Sequence, residues 1–403
     1  MYCKENFVEK LEAKHYLHAD LTGRILLRTC LNVSMKDGVI QDFTRIKESL
    51  PLIKELAHKA ARVVIIAHLG RPDGRDLSQS LKPVQYALEK ELGEAIIFAD
   101  ELDSEWINNN TEDFVPNKRI VLVENIRFFE GENSKEAEVK QSFAKQLAVL
   151  GDIFINDAFA DYRESPSTFD VAKLLPAYLG PVFYKEIKAL ATFSNPERPF
   201  IAVLAGVKLS EKLDSLNALL ELADKVLVGG ALAYTILKAQ GHTIGTSLRE
   251  EDKLELAKEM LAKYQTKLIL PIDHIAVTEF KQPTTEDQYL IIDSVDIPDG
   301  LMGVDIGPKT QELYRAELAN AATILWNGPL GIYEWGKTAA GTDAVISAIV
   351  ANKDAYKLIG GGDSITVTNQ LSVDDYNHIC TGGGAMLAFL AYDDFPVLDV
   401  ILG

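Results

Sequence analysis

Two lysines four residues apart follow a short apolar segment near the middle of the chain. Lys208 and Lys212 come after the apolar run 200–204 and after Gly206. Residues with this spacing share one face of a helix, so two ammonium groups would stand together where a buried strand ends. That arrangement suits a polyanion such as a nucleotide phosphate. The order of a Walker A loop is absent, however, and the same residues also fit ordinary lysines on a solvated helix face.

Glycine-rich segments after apolar runs give a second indication of a phosphate site. They are Gly229-Gly230, Gly360-Gly361-Gly362 and Gly382-Gly383-Gly384. Consecutive glycines let the backbone approach a ligand closely, and exposed amides at a helix start bind anions. Asp363 follows one of these segments and is well placed for Mg²⁺, because magnesium takes one or two carboxylates together with phosphate oxygens.

Arginines collect where the predicted strands of the first half end, although the formal net charge of the chain is −18. They are Arg28, Arg71, Arg127 and Arg163, with Arg45 at a helix start and with Asn32 and His68 following strands as well. The rigid fork of arginine binds carboxylates and phosphates through paired hydrogen bonds. A single arginine could instead make a local ion pair or cap a helix. Five in equivalent positions predict a small substrate with several negative charges.

Short apolar runs, separated by helix-like segments, are the elements that must position these side chains. The runs are 24–28, 63–67, 95–98, 120–123, 153–155, 201–204, 226–228, 268–270, 324–326 and 357–359. They are continuously apolar rather than alternating, which predicts strands buried on both faces of parallel sheets made from βαβ units. In such sheets ligands bind beyond the carboxyl ends of the strands.

The chain has 403 residues, too many for one hydrophobic core, so we predict two domains. Proline-containing segments border a helical stretch from 182 to 193, which predicts a connecting helix with defined ends. We place a first domain at 1–177, a hinge helix at 178–193 and a second domain at 194–389. One domain for a compact anion and one for a nucleotide predict phosphoryl transfer across a cleft.

Composition excludes several other classes of protein. The acidic balance argues against general binding to nucleic acid or to anionic membranes. Cys3, Cys30 and Cys380 are odd in number and widely spaced, which predicts reduced thiols and a cytoplasmic protein rather than a disulfide framework or a zinc site. We also see no secretory signal and no apolar run that could span a bilayer.

Eight motifs make the chain resemble the phosphoglycerate kinase family from about residue 21 to the C-terminus. They are His68-Leu69-Gly70-Arg71-Pro72, Ser80-Leu81-Lys82-Pro83-Val84, Glu124-Asn125-Ile126-Arg127-Phe128, Asn156-Asp157-Ala158-Phe159, Asp305-Ile306-Gly307-Pro308-Lys309-Thr310, Trp326-Asn327-Gly328-Pro329, Gly360-Gly361-Gly362-Asp363-Ser364 and Thr381-Gly382-Gly383-Gly384. The resemblance implies an α/β fold of two Rossmann-like parallel-sheet domains joined by a hinge helix. It also implies that a C-terminal tail, at about 390–403, packs on the first domain.

The resemblance implies an activity as well. Members of this family transfer a phosphoryl group reversibly between the acyl phosphate of 1,3-bisphosphoglycerate and MgADP, which gives 3-phosphoglycerate and MgATP in glycolysis. The chain would then be a phosphotransferase with a carboxyl group as acceptor and with Mg²⁺ as the cofactor bound to ATP or ADP. The family is usually monomeric and cytoplasmic, and we expect no nucleic-acid or membrane partner.

Residue roles are carried over from the matching positions. The implied phosphoglycerate site is Arg28, Cys30, Asn32, Arg45, His68, Arg71, Arg127 and Arg163. The implied nucleotide site is Gly206, Lys208, Lys212, Gly229, Gly230, Asn327, Pro329, Glu334, Gly360, Gly361, Gly362, Asp363 and Ser364, with Asp363 holding Mg²⁺. Arg45, Lys208 and Gly383 are implied to act on the transferring phosphoryl group.

The first half departs from the family pattern in two places. Cys30 stands where the family has an aspartate, and a thiol is a weak hydrogen-bond acceptor. After Phe159 the family's Gly-Thr-Ala-His-Arg-Ala-His pattern is replaced by a shorter segment in which Asp161 and Glu164 flank Arg163. We expect a thiol among arginines to have a lowered pKa and raised reactivity. These departures leave open a weakened or non-catalytic nucleotide-binding homologue, or a kinase for a related small carboxylic acid.

Overall fold

The structure, a computed structural model, describes residues 6–103, 105–107, 119–191, 193, 195–361, 371–372, 374–392 and 394–403. The chain forms two compact units. One consists of Met1–Ala191 with Asp394–Gly403, and the other of Thr192–Asp393. No helix among the described residues is both long and apolar enough to cross a membrane.

The first unit is organised around a parallel sheet. Its strands are β1 (Arg24–Arg28), β2 (Met35–Lys36), β3 (Val39–Ile40), β4 (Arg62–Ile66), β5 (Ile97–Ala99), β6 (Ile120–Val123), β7 (Ile153–Asn156) and β8 (Ala177–Leu179). Six of them form the sheet in the order β5-β6-β4-β1-β7-β8, while β2 and β3 make a separate antiparallel pair. Every residue of β4, β6 and β7 is buried, which explains why these runs are apolar without alternation.

Helices cover this sheet and connect its strands. They are α1 (Phe7–Ala13), α2 (Thr44–Lys59), α3 (Lys82–Leu92), α4 (Glu130–Asn133), α5 (Ala137–Ala148), α6 (Pro181–Ala191) and the C-terminal helix Pro396–Leu402. The two ends of the chain meet here, because the Lys10 ammonium donates a hydrogen bond to the Gly403 carbonyl at 2.7 Å. Phe395, buried just before the C-terminal helix, stacks on Phe159 with ring centroids 5.9 Å apart.

The second unit repeats this plan and adds an antiparallel sheet. Its strands are β9 (Phe200–Ala205), β10 (Lys225–Gly229), β11 (Leu268–Ile269), β12 (His274–Val277), β13 (Leu290–Ile292), β14 (Met302–Ile306), β15 (Thr323–Asn327), β16 (Tyr356–Gly360) and β17 (His378–Cys380). A parallel sheet runs β11-β10-β9-β15-β16-β17, and an antiparallel one runs β13-β12-β14. The helices are α7 (Leu209–Leu222), α8 (Leu232–Ala239), α9 (Leu254–Tyr264), α10 (Pro308–Ala319), α11 (Ala340–Ala351) and α12 (Gly383–Ala391).

Each apolar run that we predicted as a strand coincides with a strand of one of the two parallel sheets, so the predicted α/β fold class is confirmed. The strands that the sequence did not predict are β8, β17, the antiparallel pair β2–β3 and the antiparallel sheet of the second unit. β8 is three residues long and lies close to Pro176 and Pro181, which we interpreted as connecting segment. β12 shifts register between Ile275 and Ala276, so its pairing with β14 follows no simple periodic pattern.

Candidate active site

The carboxyl edge of the first sheet brings together residues that are distant in the sequence. Arg28 ends β1, where it is paired with Ile66 of β4 and with Asn156 of β7. Parallel strands end at the same edge, so His68 and the loop after β7 lie beside Arg28. Both side chains are buried, with Arg28 2% and His68 4% exposed. A buried guanidinium needs a compensating anion or hydrogen-bond acceptors around it.

An acidic residue of the protein itself meets that need. Asp161, in the loop after β7, makes an ion pair of 2.9 Å with Arg28 and a contact of 3.0 Å between its carboxylate and Nδ1 of His68. Burial alone would raise the pKa of Asp161, but the hydrogen bond from His68 and the positive charge of Arg28 outweigh it and hold this pKa well below its usual range. Asp161 is therefore ionised near neutral pH, in the middle of the predicted phosphoglycerate site.

The hydrogen-bond geometry fixes the tautomer of His68. Burial lowers the pKa of His68, more than the neighbouring Asp161 raises it, so the ring is neutral at pH 7. Nδ1 then donates its proton to Asp161 and cannot also accept from Arg28, whose Nη2 lies 3.3 Å away. Arg28 therefore supplies the positive charge that faces Asp161.

The rest of the Arg28 guanidinium is also occupied. Its Nη1 donates to the Thr29 carbonyl at 2.8 Å, and its Nε donates to Ser167 Oγ at 3.2 Å. Ser167 in turn donates to the buried carboxylate of Glu132 at 2.7 Å. Burial raises the pKa of Glu132, and Arg28 lowers it in part. Asp161 on one side and the Ser167–Glu132 pair on the other therefore hold Arg28 in one orientation.

Cys30 does not behave as the sequence led us to expect. Its Sγ accepts a hydrogen bond from Arg45 Nη1 at 3.1 Å, so the predicted neighbour is present. However, burial raises the pKa of the thiol, and the negative charge of Asp161 raises it further. Arg45 and Arg28 lower it by less. The predicted fall in the pKa of Cys30 was wrong because the sequence showed neither the burial of the thiol nor the carboxylate of Asp161 near it.

The remaining residues of the predicted phosphoglycerate site fall into two groups. Asn32 accepts a hydrogen bond from the Gly70 amide at 2.8 Å, and Arg127 Nη1 donates to the Gly70 carbonyl, so both hold the loop after β4. Gly70 has a left-handed backbone, φ +63°, and a Cβ there would lie 1.9 Å from the Gln79 side chain. Arg71 and Arg163, by contrast, are exposed at the surface of this unit.

The carboxyl edge of the second sheet collects the predicted nucleotide residues in the same way. The Lys212 ammonium donates to Asn327 Oδ1 at 2.6 Å, and Asn327 Nδ2 donates to the Gly360 carbonyl at 2.9 Å. These bonds join α7 to the ends of β15 and β16. Lys208 differs from the prediction of two lysines on one helix face, because it precedes α7 as an extended N-cap residue. Its exposed side chain pairs with Glu211 at 3.3 Å.

Backbone segments approach one another closely around these side chains. Gly230 has φ +71°, and a Cβ there would lie 2.5 Å from the Gly206 carbonyl oxygen. A Cβ on Gly383, the first residue of α12, would lie 2.3 Å from Gly361 Cα. Only glycine fits either place, which gives a physical reason for two of the glycine segments seen in the sequence.

The other predicted nucleotide residues have simpler positions. Gly229 ends β10, Pro329 follows β15, and Glu334 is exposed on the 3₁₀ turn Tyr333–Trp335. Gly362, Asp363 and Ser364 lie outside the described residues, so the proposed Mg²⁺ ligand stays a sequence-based prediction. Among the residues that the structure does describe, no cluster of three or more His, Cys, Asp or Glu side chains could hold a metal ion.

Sequence reasoning missed two buried acids of the first unit. In the sequence, Asp161 stood out only as a neighbour of Arg163. Its position in the shortened loop was the one indication that it could belong to the site. Asp157 belongs to a matched motif, but we gave it no role. Its Oδ1 accepts hydrogen bonds from the Val182 and Phe183 amides at 2.7 and 3.2 Å, at the start of α6.

Known proteins share this architecture over nearly their full length. The family model described as Phosphoglycerate kinase matches residues 18–392. The phosphoglycerate kinase of Clostridium novyi (strain NT) is 42% identical over 399 residues, with 96% of this chain and 98% of that protein covered. That of Clostridium tetani (strain Massachusetts / E88) is 41% identical over 389 residues, with 94% of each covered.

Solved structures agree with the sequence comparison. The phosphoglycerate kinase structure from Coxiella burnetii has a TM-score of 0.78 at 34% identity and covers 96% of this chain and 97% of its own. The structure from Pyrococcus horikoshii OT3 has a TM-score of 0.83 at 29% identity, with 96% and 98% covered.

Two parallel-sheet units, each with cationic side chains at the carboxyl edge of its sheet, define the class as a two-domain α/β kinase. The comparisons make this specific: the chain belongs to the phosphoglycerate kinase family. The predicted family is confirmed, and with it an enzyme of glycolysis. The comparisons do not favour the alternatives of a weakened or non-catalytic nucleotide-binding homologue or of a kinase for a related small carboxylic acid.

Proposed function

We propose that this chain transfers a phosphoryl group reversibly between 1,3-bisphosphoglycerate and MgADP, giving 3-phosphoglycerate and MgATP. The observation that carries the proposal is the buried cluster of Arg28 and His68, with half-buried Arg127 beside it, in a chain of formal net charge −18. Such a cluster neutralises a small acidic ligand strongly because it is shielded from water.

The first unit is proposed to bind phosphoglycerate. Arg28, Arg127 and His68 supply the inner contacts, while Cys30, Asn32, Arg45, Arg71 and Arg163 complete the site. The burial of Arg28 supports its inner role, since a charge–charge contact is stronger away from solvent. The exposure of Arg71 and Arg163 supports a role in attracting the substrate and in its outer contacts.

The second unit is proposed to bind ADP and ATP. Lys212, held by Asn327, would contact the nucleotide phosphates, and the closely packed backbones at Gly206 and Gly230 would line the same site. Gly229, Pro329, Glu334 and the segment 360–364 complete this site. Mg²⁺ would be held by Asp363 together with phosphate oxygens, where it neutralises charge on the phosphates.

The phosphoryl group itself is proposed to be stabilised by Arg45, Lys208 and the amide of Gly383. Phosphoryl transfer requires little covalent chemistry from the protein, so positive charge and oriented amides are the main requirements. Gly383 begins α12, and the amides of a first helical turn have no partners within the helix.

The assignment of regions is proposed on the same basis. Residues 1–177 with the tail 390–403 form the phosphoglycerate-binding domain, 178–193 the hinge helix, and 194–389 the nucleotide-binding domain. The position of residues 394–403 in the first compact unit supports the place of the tail. We propose a monomer that works in the cytoplasm.

The first test is a coupled assay of ADP formation from MgATP and 3-phosphoglycerate, with Lys208→Ala beside the parent chain. We expect kcat to fall by a factor on the order of 10² or more, because one donor to the transferring group is lost. Lys238→Ala removes an exposed lysine of α8 in the same unit and serves as the control. A parent chain with no turnover, or a Lys208→Ala chain with normal turnover, would contradict the proposal.

A further inference from the structure

The phosphoglycerate cluster of the first unit already contains an anion, supplied by the protein. Asp161 contacts Arg28 at 2.9 Å and His68 at 3.0 Å, and its side chain is 11% exposed. Arg127 also acts electrostatically on this carboxylate and lowers its pKa. Asp161 therefore contacts two of the residues that we propose for binding the substrate anion and is close enough to a third, Arg127, to be affected by its charge.

A second negative charge cannot join this cluster without cost. Arg28 has an acceptor at each of its nitrogens, and its single positive charge already faces Asp161, so a new anion competes with Asp161 for that charge. If a substrate anion bound beside Asp161, two like charges would stand close together in a shielded place. If Asp161 instead leaves, the substrate takes over its role and Arg28 stays compensated.

The two acids that compensate Arg28 differ in how easily they can leave. Glu132 is buried and accepts hydrogen bonds from Ser165, Ser167 and the Ser167 amide, at 2.7 to 3.1 Å. Asp161 stands on the loop after β7, two and three residues before the exposed Arg163 and Glu164. The geometry therefore favours release of Asp161, while Glu132 keeps its place under the guanidinium.

We propose that Asp161 is a specificity-determining residue, an internal competitor that occupies the anion subsite of Arg28 and His68 and that phosphoglycerate must displace. This inference rests on the proposed function, because it assumes that the cluster binds phosphoglycerate. A competitor of this kind weakens the apparent affinity for phosphoglycerate, because only those molecules whose subsite is open can bind it. It also disfavours ligands that carry no more negative charge than the carboxylate they would replace, because they lose as much by displacing Asp161 as they gain from Arg28.

The consequence for simple anions follows directly. Acetate offers one carboxylate, as Asp161 does, and gains nothing by exchange. Inorganic phosphate and 3-phosphoglycerate offer more charge and more acceptor oxygens to the same guanidinium. The chain should therefore bind acetate poorly until Asp161 is neutralised.

The test compares Asp161→Asn with the parent chain by calorimetric titration of 3-phosphoglycerate and by steady-state kinetics. We expect the Kd and the KM for 3-phosphoglycerate to fall about tenfold in Asp161→Asn, as for a subsite that is occupied about nine-tenths of the time. The kcat should stay within about twofold, and acetate should become a measurable competitive inhibitor. Glu164→Gln removes the same charge from an exposed position three residues away, and it should leave every constant unchanged.

Several results would overturn the inference. A folded Asp161→Asn chain with an unchanged or higher Kd would mean that Asp161 only orients Arg28. An equal gain in affinity for 3-phosphoglycerate in Asp161→Asn and in Glu164→Gln would mean that the loss of any negative charge has this effect. If Asp161→Asn does not fold, Asp161→Ser and a crystal structure of the parent chain with 3-phosphoglycerate decide the matter. In that structure we expect Asp161 to have left Arg28, and a retained ion pair beside bound substrate contradicts displacement.

The same experiments separate this inference from the proposed function. If the parent chain neither binds nor phosphorylates 3-phosphoglycerate, the proposed function is wrong and the inference falls with it. If the parent chain is active and Asp161→Asn gains no affinity, the inference alone is wrong.

Discussion

At the scale of single residues, the site depends on how buried charges are compensated. Arg28 would be costly to bury alone, and the protein surrounds it with Asp161, with the Thr29 carbonyl, and with Ser167 linked to Glu132. The ion pair with Asp161 adds stability above the ordinary pKa of a carboxyl near 3.8, and this contribution is lost as the pH falls below that value. The ion pair of Arg28 and Asp161 thus contributes to stability in a way that depends on acid pH.

The thiol of Cys30 provides a residue-scale prediction. Its raised pKa leaves little thiolate near neutral pH, so we expect it to react with iodoacetamide more slowly than free cysteine at pH 7.5. In Asp161→Asn, which lacks the charge that raises this pKa, the rate should increase. Mass spectrometry of the peptide that contains Cys30 measures the rate, and Cys30→Ser confirms the assignment of the signal. A parent thiol that reacts faster than free cysteine would contradict the expectation.

At the scale of elements, a strand of the first sheet fixes the start of a helix. Asp157 follows β7 directly and caps the first turn of α6 through the Val182 and Phe183 amides. Burial raises the pKa of Asp157 to about 7, against the lowering effect of these two hydrogen bonds. Its other oxygen, Oδ2, is buried with no hydrogen-bond partner among the described residues. The cap therefore favours a protonated carboxyl.

This gives a prediction of stability against pH. A carboxyl whose pKa is raised on folding contributes most below its ordinary value of 3.8, loses that contribution as the pH rises to about 7, and is constant above it. Over this pH range the free energy of unfolding falls by as much as about 4 kcal/mol. We expect Asp157→Asn to remove this fall in unfolding free energy, because an amide oxygen still accepts both hydrogen bonds. Urea unfolding at several pH values measures it.

The control for this prediction is Asp73→Asn, which changes an exposed aspartate of the same unit. It should leave the dependence of unfolding free energy on pH as in the parent chain. An Asp157→Asn chain that still loses stability between pH 4 and 7 by the parental amount would show that other groups cause the loss.

At the scale of the whole molecule, the last residues of the chain complete the first unit. Phe395 is 1% exposed and packs against Phe159 and Phe183, with ring centroids 5.9 and 6.4 Å away. Val397, Leu398 and Ile401 are buried behind it. The first unit therefore combines two separate segments of the sequence, whereas the second unit is one continuous segment.

We therefore expect Phe395→Ala to destabilise the first unit by about 3–5 kcal/mol, the usual cost of deleting a buried aromatic ring. Hydrogen exchange of amides in β1 should become faster, while exchange in β9 should change little. Phe280→Ala, which removes a ring that is 63% exposed in the second unit, is the control and should cost under about 1 kcal/mol. An equal increase in amide exchange in β1 and in β9 would contradict the assignment of the C-terminal tail to the first unit.

The sequence by itself determined the parallel-sheet units and the family, and it placed the proposed ligand residues at the ends of strands. Continuous apolar runs specify strands buried on both faces, and the end of each run identifies the sheet edge, because these patterns are local. The glycines at 230 and 383 were visible for the same reason, since steric limits on the backbone act at single residues. The antiparallel sheet and β8 were missed because short strands depend on partners far along the chain.

Only the tertiary structure decided what surrounds each charge. It brought Asp161 to Arg28 and His68 across 133 and 93 residues of chain. The burial of Cys30, together with the charge of Asp161, reversed the expected pKa shift of that thiol. The tertiary structure also turned Lys212 to Asn327 and left Lys208 outside the helix. Electrostatic environments depend on distance and burial in three dimensions, so a list of residue types can place charged groups at a site but cannot say which of them are already paired.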